Sequence, residues 1–279
     1  MFKLYIDSRF RQDAGGANSD TEFAIELPRP INVTGRAYVD TFICPNAFWT
    51  VRSGENDRLH VRENISTYRI CTIQEGQYNA ITLKDAVLAA LQTGKSIPGD
   101  YSVLFDVPTN KLVISTLDAT ASFHIYSTAW LKANANTWNT ASFGSGGPTI
   151  DAKNLMDAGS VVGFASGGIL SGSVSTSVTA PDVVNVLPYH QLFLRSNLGN
   201  GNDTYGADGS SDIIRRVTVQ VGLNEMIVDQ HTLPFDAVSS GSREISSLRF
   251  SLTDVFGKVV NTHSHPISFS IIFVPDESI

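Results

Sequence analysis

The residues of this chain that could most readily do chemistry are two histidines near its C-terminal end. One residue separates His263 from His265, so an extended backbone would place both imidazoles on one side of the chain. Imidazole is a common zinc ligand, but a zinc site needs three or four ligands, and no cysteine or nearby carboxylate supplies a third. We therefore favour a solvated connection between two strands here, with a metal site as the alternative.

A second group of candidate ligands lies in an acidic loop that contains several glycines. Its side-chain oxygens belong to Asn200, Asn202, Asp203, Asp208 and Asp212. Calcium prefers such oxygen ligands, but their spacing matches no calcium-binding loop. We favour an exposed loop here, with calcium binding as the alternative.

Catalytic motifs are weak throughout the sequence. No Gly-x-Ser-x-Gly motif occurs, and the glycine-rich segment 142–148 lacks the lysine of a phosphate-binding loop. The carboxylates of Glu22, Glu26 and Asp40 fall on separate predicted strands, without an apolar niche that would raise a pKa for acid–base work. We predict no catalytic residue, no cofactor-binding residue and no metal ligand, and we expect that the chain is not an enzyme.

The charge balance narrows the range of partners. The 279 residues carry 27 acidic and 20 basic side chains, a net charge of -7. Neutralising phosphates requires clustered lysine and arginine, so we predict no direct nucleic-acid partner. No run approaches the roughly 20 apolar residues of a membrane-spanning helix, and residues 1–12 lack the apolar segment of a signal peptide. We expect no membrane span and synthesis in a cytoplasm, with Cys44 and Cys71 as buried hydrophobic residues.

Alternating apolar and polar residues indicate β-strands along most of the chain. The clearest pattern is a pair of runs near the C-terminus, whose apolar positions are Leu248, Phe250 and Leu252 in the first and Ile267, Phe269, Ile271 and Phe273 in the second. A period of two puts the apolar side chains of each run on one face. The two runs predict a hairpin-like pair that closes a sheet.

One segment breaks this β pattern. The apolar spacing of Leu83, Val87, Leu88 and Leu91 predicts a helix, with Thr82 as its N-cap, Asp85 at its third position and Gly94 at its end. Strand-like segments follow it. We therefore predict a β-sandwich formed by residues 1–68 and 155–279, with an inserted strand-helix-strand lobe and its loop extension at residues 69–154.

Several short segments, taken in order, carry a resemblance to a known family. They are "LYIDSRFR", "TEFAIELP", "FICPNAFWTV", "EGQYNAITLKDAVLAAL", "YSVLFDVPTNKLVIS", "LFLRSNL", "DIIRRVTV", "LRFSLTDVFGKVVN" and "ISFSIIF". In this order they resemble the penton and related minor capsid proteins of tailless icosahedral double-stranded DNA viruses, especially virophages and Polinton-like viruses. The resemblance implies an all-β protein, a single jelly-roll β-sandwich of two four-stranded sheets with an inserted small α+β lobe and long Ser/Gly-rich loops.

The resemblance also implies a function by assembly. It predicts a homopentameric penton at the icosahedral vertices of the virion, docked to capsomers of the major capsid protein and in reach of minor capsid proteins. We name Tyr5, Asp7, Arg9 and Arg11 as candidate inter-capsomer contacts, because their segment is polar and glycine-rich residues follow it. The inserted lobe is a candidate contact for a host receptor or glycan. The alternatives are a minor capsid cement protein between capsomers, a carbohydrate-binding attachment β-sandwich and, least favoured, a glycan-active enzyme.

Overall fold

The computed structural model describes residues 1–12, 19–64, 67–134, 156–198, 204–206, 209–230 and 237–275. Antiparallel β-strands dominate these ranges, as the alternating pattern predicts. The chain forms two compact units. Unit 1 comprises Met1–Phe48 and Tyr189–Ile279, and unit 2 is the continuous segment Trp49–Pro188.

Unit 1 takes its strands from both ends of the chain. Numbered along the whole chain, they are β1 (Phe2–Asp7), β2 (Glu22–Val33), β3 (Arg36–Pro45), β11 (Gln191–Ser196), β12 (Ile213–Thr218), β13 (Met226–Gln230), β14 (Val238–Ser239), β15 (Arg243–Thr253) and β16 (Ser268–Val274). A 3-10 helix, Ser8–Phe10, follows β1.

The strand order of unit 1 is that of a jelly roll. Sheet I has the order β1-β16-β3-β13, with the two-residue β14 beside β3, and sheet II has the order β12-β11-β15-β2. Without β14, the order is 1-8-3-6 in sheet I and 2-7-4-5 in sheet II when the strands of the unit are counted in sequence. Two antiparallel sheets connected in this way form a jelly roll. The predicted fold class is confirmed.

The predicted pairing of the two C-terminal runs is wrong. Strand β15 pairs with β11 and β2 in sheet II, whereas β16 pairs with β1 and β3 in sheet I. The alternation of apolar residues determines which face of a strand is buried, but it does not specify which strand pairs with it. Two strands that follow one another with a long connection can therefore lie in different layers.

The inward faces of the two sheets form the core of unit 1. Leu248, Phe250, Leu252, Ile267, Phe269, Ile271 and Phe273 are all buried, as predicted. Phe250 of sheet II and Phe269 of sheet I meet edge to face, with ring centroids 4.9 Å apart. Aromatic pairs in this geometry contribute beyond their buried area. This contact joins the two layers directly.

Unit 2 contains two further sheets and the helices. Its strands are β4 (Arg58–Glu63), β5 (Thr67–Thr72), β6 (Tyr101–Asp106), β7 (Lys111–Thr116), β8 (Ser122–Tyr126), β9 (Ile169–Ser173) and β10 (Val178–Thr179), in the orders β5-β4-β8-β9 and β10-β7-β6. Its described helices are α1 (Ala80–Gln92), α2 (Thr128–Asn134) and α3 (Gly159–Val162).

Helix α1 is the predicted helix, with a corrected start. Its N-cap is Asn79, whose side chain accepts hydrogen bonds from the backbone N–H groups of Ile81 and Thr82. Thr82 lies at the third helical position and hydrogen-bonds back to the N–H of Asn79, which completes a capping box. Threonine and asparagine both cap helices, and the sequence pattern placed the cap three residues too late.

The boundaries of unit 2 differ from those predicted for the inserted lobe. Residues 49–68 and 155–188 belong to unit 2, although the prediction assigned 49–68 and 155–188 to the sandwich. Strand β4 pairs with β5 and β8, and its Leu59 and Val61 are fully buried in the core of unit 2. A short strand such as β4 gives no sequence signal of which sheet it will join.

Candidate functional site

The outer face of sheet I exposes apolar side chains. Tyr5 on β1 is 76% exposed, and on β13 Met226 is 49% and Val228 53% exposed. Phe10, in the 3-10 helix that follows β1, is 77% exposed. Exposed apolar groups that cluster on one face are a common mark of an interaction surface.

The register of the strands aligns these groups across the sheet. Asp7, Ser268, Ile43 and Val228 lie opposite one another on four successive strands. Ile43 is only partly buried although its neighbours Phe42 and Cys44 are fully buried, because its side chain is on the outer face. This row of apolar and small polar groups crosses all four strands.

The charged groups around Tyr5 on this face are paired within the chain. Lys3 donates a hydrogen bond to Asp40, and Arg9 donates to Asp7 through its backbone N–H and through Nε and Nη2 at 2.9 and 2.7 Å. The hydrogen bonds from these cations lower the pKa of the Asp7 and Asp40 carboxyl groups. This part of the outer face of sheet I therefore presents little unbalanced charge.

The four predicted contact residues lie in one segment but in different environments. Tyr5 projects from the outer face of sheet I, and Asp7 is partly buried beside it. The Arg9 side chain is 68% exposed, whereas Arg11 is partly buried and donates to Asp20 at 2.7 Å. Tyr5 and Arg9 are thus the two of the four that are most accessible to another molecule.

A shallow groove runs along this outer face. It has a volume of about 350 Å³ and is lined by Lys3, Tyr5, Ile6, Asp7, Phe10, Thr41, Ile43, Ser268, Phe269 and Ser270. Of the predicted residues, Tyr5 and Asp7 line it. The apolar members Phe10 and Ile43 were missed. A signal for Ile43 is present in the sequence, because the run "FIC" departs from strict alternation.

Sheet II has a different outer face. Its exposed side chains include several charged ones, namely Glu22 and Glu26 on β2, Arg216 on β12 and Arg249 on β15. These residues alternate with buried apolar residues such as Phe23 and Leu248. This is the ordinary pattern of a sheet that faces water on one side. The two outer faces of the jelly roll are therefore chemically distinct.

Unit 2 has a polar cleft of about 440 Å³. Asp157 lines it and is buried, with one carboxylate oxygen accepting hydrogen bonds from the Thr128 hydroxyl and from the Gly159 N–H at 3.0 Å. The other oxygen, Oδ1, has no hydrogen-bond partner in the part of the chain that the structure describes. Burial raises the pKa of Asp157 to about 6. Lys132 and Asn185 also line the cleft.

Those of the other ligand candidates that the structure describes do not gather into a site. His263 and His265 lie in the connection between β15 and β16, as predicted, and His265 donates its backbone N–H to Thr262. Asn200, Asn202, Asp203 and Asp208 fall outside the described residues, and Asp212 pairs with Arg195 at 2.7 Å. Within the described ranges, no three His, Cys, Asp or Glu side chains are grouped to hold a metal ion.

Two further predictions concern cysteine and membranes. Cys44 and Cys71 are buried and form no disulfide, as predicted, and burial raises the pKa of each thiol to about 12. Of the helices that the structure describes, none has the length and apolar character needed to cross a membrane.

Comparison with known proteins gives matches at the level of structure. No protein-family model matches the chain, and no curated protein matches its sequence. The crystal structure of the selenomethionine-labelled mavirus penton protein is similar over 98% of this chain and 99% of that one, at 10% identity and a TM-score of 0.47. The cryo-EM structure of the Sputnik virophage is similar over 99% of this chain and 98% of that one, at 14% identity and a TM-score of 0.45.

Proposed function

We propose that this chain is a structural capsid protein that acts by self-assembly. The observation that carries the proposal is the exposed apolar outer face of sheet I, with Tyr5, Met226 and Val228 on it. Contact with another protein would remove these groups from water, which is favourable in proportion to the apolar area buried. The jelly roll occurs in viral capsid proteins, and the resemblance of the ordered segments to virophage pentons favours that use of the fold over others.

In this proposal five copies form a homopentameric penton at each vertex of the virion and dock to capsomers of the major capsid protein. A ring requires heterologous contacts, in which one surface of a subunit meets a different surface of the next. The chemical difference between the outer faces of sheets I and II supports such a contact. Arg9 and Tyr5 are the accessible members of the predicted contact set, with Asp7 and Arg11 holding their segment in place.

Native mass spectrometry and electron microscopy of the purified protein test the proposal. We expect particles of five subunits with fivefold symmetry. A protein that stays monomeric at all concentrations up to about 100 μM, where weak self-association would be visible, would contradict self-assembly. Locating the chain in a virion map then separates a vertex protein from a cement protein between capsomers.

A second candidate function is glycan binding by unit 2. The observation that favours it is the polar lining of the cleft, to which Asp157, Lys132 and Asn185 contribute. Sugar hydroxyl groups both donate and accept hydrogen bonds, and the cleft volume falls within the range of about 300–1,000 Å³ typical of ligand sites. A glycan array tests this candidate. We expect bound glycans to be lost in Asp157→Asn and kept in a control, Asp100→Asn, and an array without any retained glycan rejects it.

A further inference from the structure

The connection between β15 and β16 begins with a turn that presents an aromatic ring to solvent. Phe256 is 84% exposed and its neighbour Val255 is 40% exposed. An exposed phenylalanine is unfavourable in water unless another surface covers it. Phe256 does not line the groove of sheet I in its own subunit.

The turn that carries Phe256 is internally bonded. The Asp254 side chain accepts hydrogen bonds from the backbone N–H groups of Phe256 and Lys258, at 2.8 and 2.9 Å. The Asp254 N–H donates to the carbonyl of Lys258 at 2.9 Å, and Gly257 takes a positive φ of 79° that closes the turn. The backbone that carries the ring is therefore fixed before any partner arrives, which reduces the entropy lost on binding.

The groove on the outer face of sheet I suits an aromatic side chain. Tyr5 and Phe10 are highly exposed at its walls, and Ile43 contributes an apolar floor. Its charged members Lys3 and Asp7 have partners within the chain, so an apolar ring can enter without stripping water from an unpaired charge. A volume of about 350 Å³ is ample for a single aromatic side chain.

We propose that Phe256 of one subunit inserts into this groove of the neighbouring subunit. This inference rests on the proposed self-assembly and names one contact within it. The chain carries both halves of the contact on different surfaces of unit 1, which is the requirement for a heterologous interface that repeats around a ring. Tyr5 and Phe10 can meet the inserted ring edge to face or in an offset stack.

Cross-linking between variants that each carry one added cysteine tests the geometry. Phe256→Cys and Tyr5→Cys are purified separately, mixed under conditions that allow subunit exchange, and oxidised. We expect a disulfide-linked dimer in the mixture and none in either variant alone, because each contact joins position 256 to position 5. The native Cys44 and Cys71 are buried, and wild-type protein oxidised in the same way shows how much cross-linking they contribute. A cross-link of Phe256→Cys to itself would overturn the proposed pairing.

Substitution of the ring tests the energetics in the otherwise native chain. Phe256→Ala should weaken subunit association at least about 30-fold, as expected for a central aromatic anchor, whereas Val255→Ala in the same turn should change it less than about threefold. Circular dichroism confirms that both variants are folded.

The outcomes separate this inference from the function on which it rests. A wild-type protein that never associates contradicts the proposed function. A wild-type protein that associates, with Phe256→Ala associating equally well, contradicts the insertion of Phe256 and leaves the proposed function standing.

Discussion

The two units bury their charged residues in different ways. In unit 1 the buried charged residues that the structure describes are two arginines, Arg195 and Arg215, which reach the more exposed Asp212 and Asp229. In unit 2 the buried acidic residues that the structure describes are Asp57, Glu63 and Asp157, and of these Glu63 is fully buried. A long arginine side chain can carry its charge toward the surface, whereas a glutamate at the centre of a unit depends on internal donors.

Glu63 has a complete set of such donors. Arg69 donates Nε and Nη2 to Oε1, the Tyr101 hydroxyl donates to the same oxygen at 2.8 Å, and Ser96 donates its N–H and hydroxyl to Oε2. Burial by itself would raise the pKa of Glu63, but these hydrogen bonds outweigh it and the pKa lies below its ordinary value. Arg69 also donates to the carbonyls of Leu91 and Thr93 at the end of α1. One carboxylate thus connects β4, β5, β6 and the end of α1.

The units also differ in how the chain enters them. Unit 1 pairs β1 with β16, so strands from the two ends of the chain depend on each other. Unit 2 is continuous, and the Thr50 hydroxyl near its start donates to the carbonyl of Val186 near its end at 3.1 Å. A continuous unit with adjacent ends has the anatomy of an inserted domain. Unit 1 is therefore vulnerable to changes in both terminal parts of the chain, whereas unit 2 is vulnerable mainly within its own continuous segment.

The largest expected effect is loss of unit 1 alone. Ending the chain at Pro266 removes β16, which lies between β1 and β3 and supplies Phe269 to the core. We expect unit 1 to unfold while unit 2 keeps its cooperative transition. The three tryptophans of the chain, Trp49, Trp130 and Trp138, all belong to unit 2, so tryptophan fluorescence follows that unit.

Amide hydrogen exchange follows unit 1 in the same sample. If the fluorescence transition of unit 2 also disappears in the truncated protein, unit 2 depends on β16 as well, which contradicts the proposed difference between the units. The point variant Phe269→Ala provides a graded version, with an expected loss of about 3–5 kcal/mol in the stability of unit 1.

Breaking the buried ion pair of Glu63 and Arg69 should destabilise unit 2 and leave unit 1 folded. Glu63→Gln leaves Arg69 without its counter-charge and turns an amide group toward the donors of Ser96, so we expect unit 2 to lose about 3–5 kcal/mol. Denaturant unfolding followed by tryptophan fluorescence measures this loss. The matched control is Asp100→Asn in the exposed Lys95–Asp100 pair, which should leave the midpoint unchanged. Equal unfolding midpoints for the two variants would contradict a special contribution of Glu63 to the stability of unit 2.

A smaller effect concerns the pH dependence of unit 2. The folded pKa of Asp157, about 6, lies above its ordinary value of 3.8. The folded state therefore binds this proton more tightly than the unfolded state, and the stabilising contribution present below pH 4 is lost as the pH rises through 6. Asp157→Asn cannot ionise. Its stability relative to wild type should increase by up to about 3 kcal/mol between pH 4 and 7.

Denaturant unfolding at a series of pH values measures this difference between the two proteins. Taking the difference matters because Glu63, whose pKa is lowered, stabilises unit 2 increasingly as the pH rises and would mask the effect in wild type alone. A difference that stays constant from pH 4 to 7 would mean that Asp157 ionises normally in the folded state.

We expect the smallest effect when unit 2 is removed, because unit 1 should then stay folded. The residues that flank the insertion, Phe48 and Tyr189, are in edge-to-face contact with ring centroids 5.2 Å apart. Replacing residues 49–188 by a short Gly/Ser linker should therefore leave the jelly roll folded, with far-ultraviolet circular dichroism of a β-protein and a single cooperative transition. An unfolded product would mean that unit 1 needs unit 2 to fold.

Part of this architecture was predictable from local patterns. Alternation identified the buried faces of β15 and β16, and the apolar spacing of α1 identified its buried residues Leu83, Val87 and Leu91. Such patterns report on burial because a strand or helix in contact with a core must be apolar on one side. The candidate surface was only partly predictable. Tyr5 was named, but Ile43 and Val228 join it only through strand pairing.

The sequence by itself determined which side chains are apolar at which spacing, and hence that most of the chain is β-structure with one long helix. Only the tertiary structure decided that β15 and β16 belong to different sheets, that β4 belongs to unit 2 and that Glu63 meets Arg69 and Tyr101. The physical reason is that burial on one face is a property of each strand alone, whereas its neighbours are chosen by how all the strands together satisfy their backbone hydrogen bonds and fill a common core.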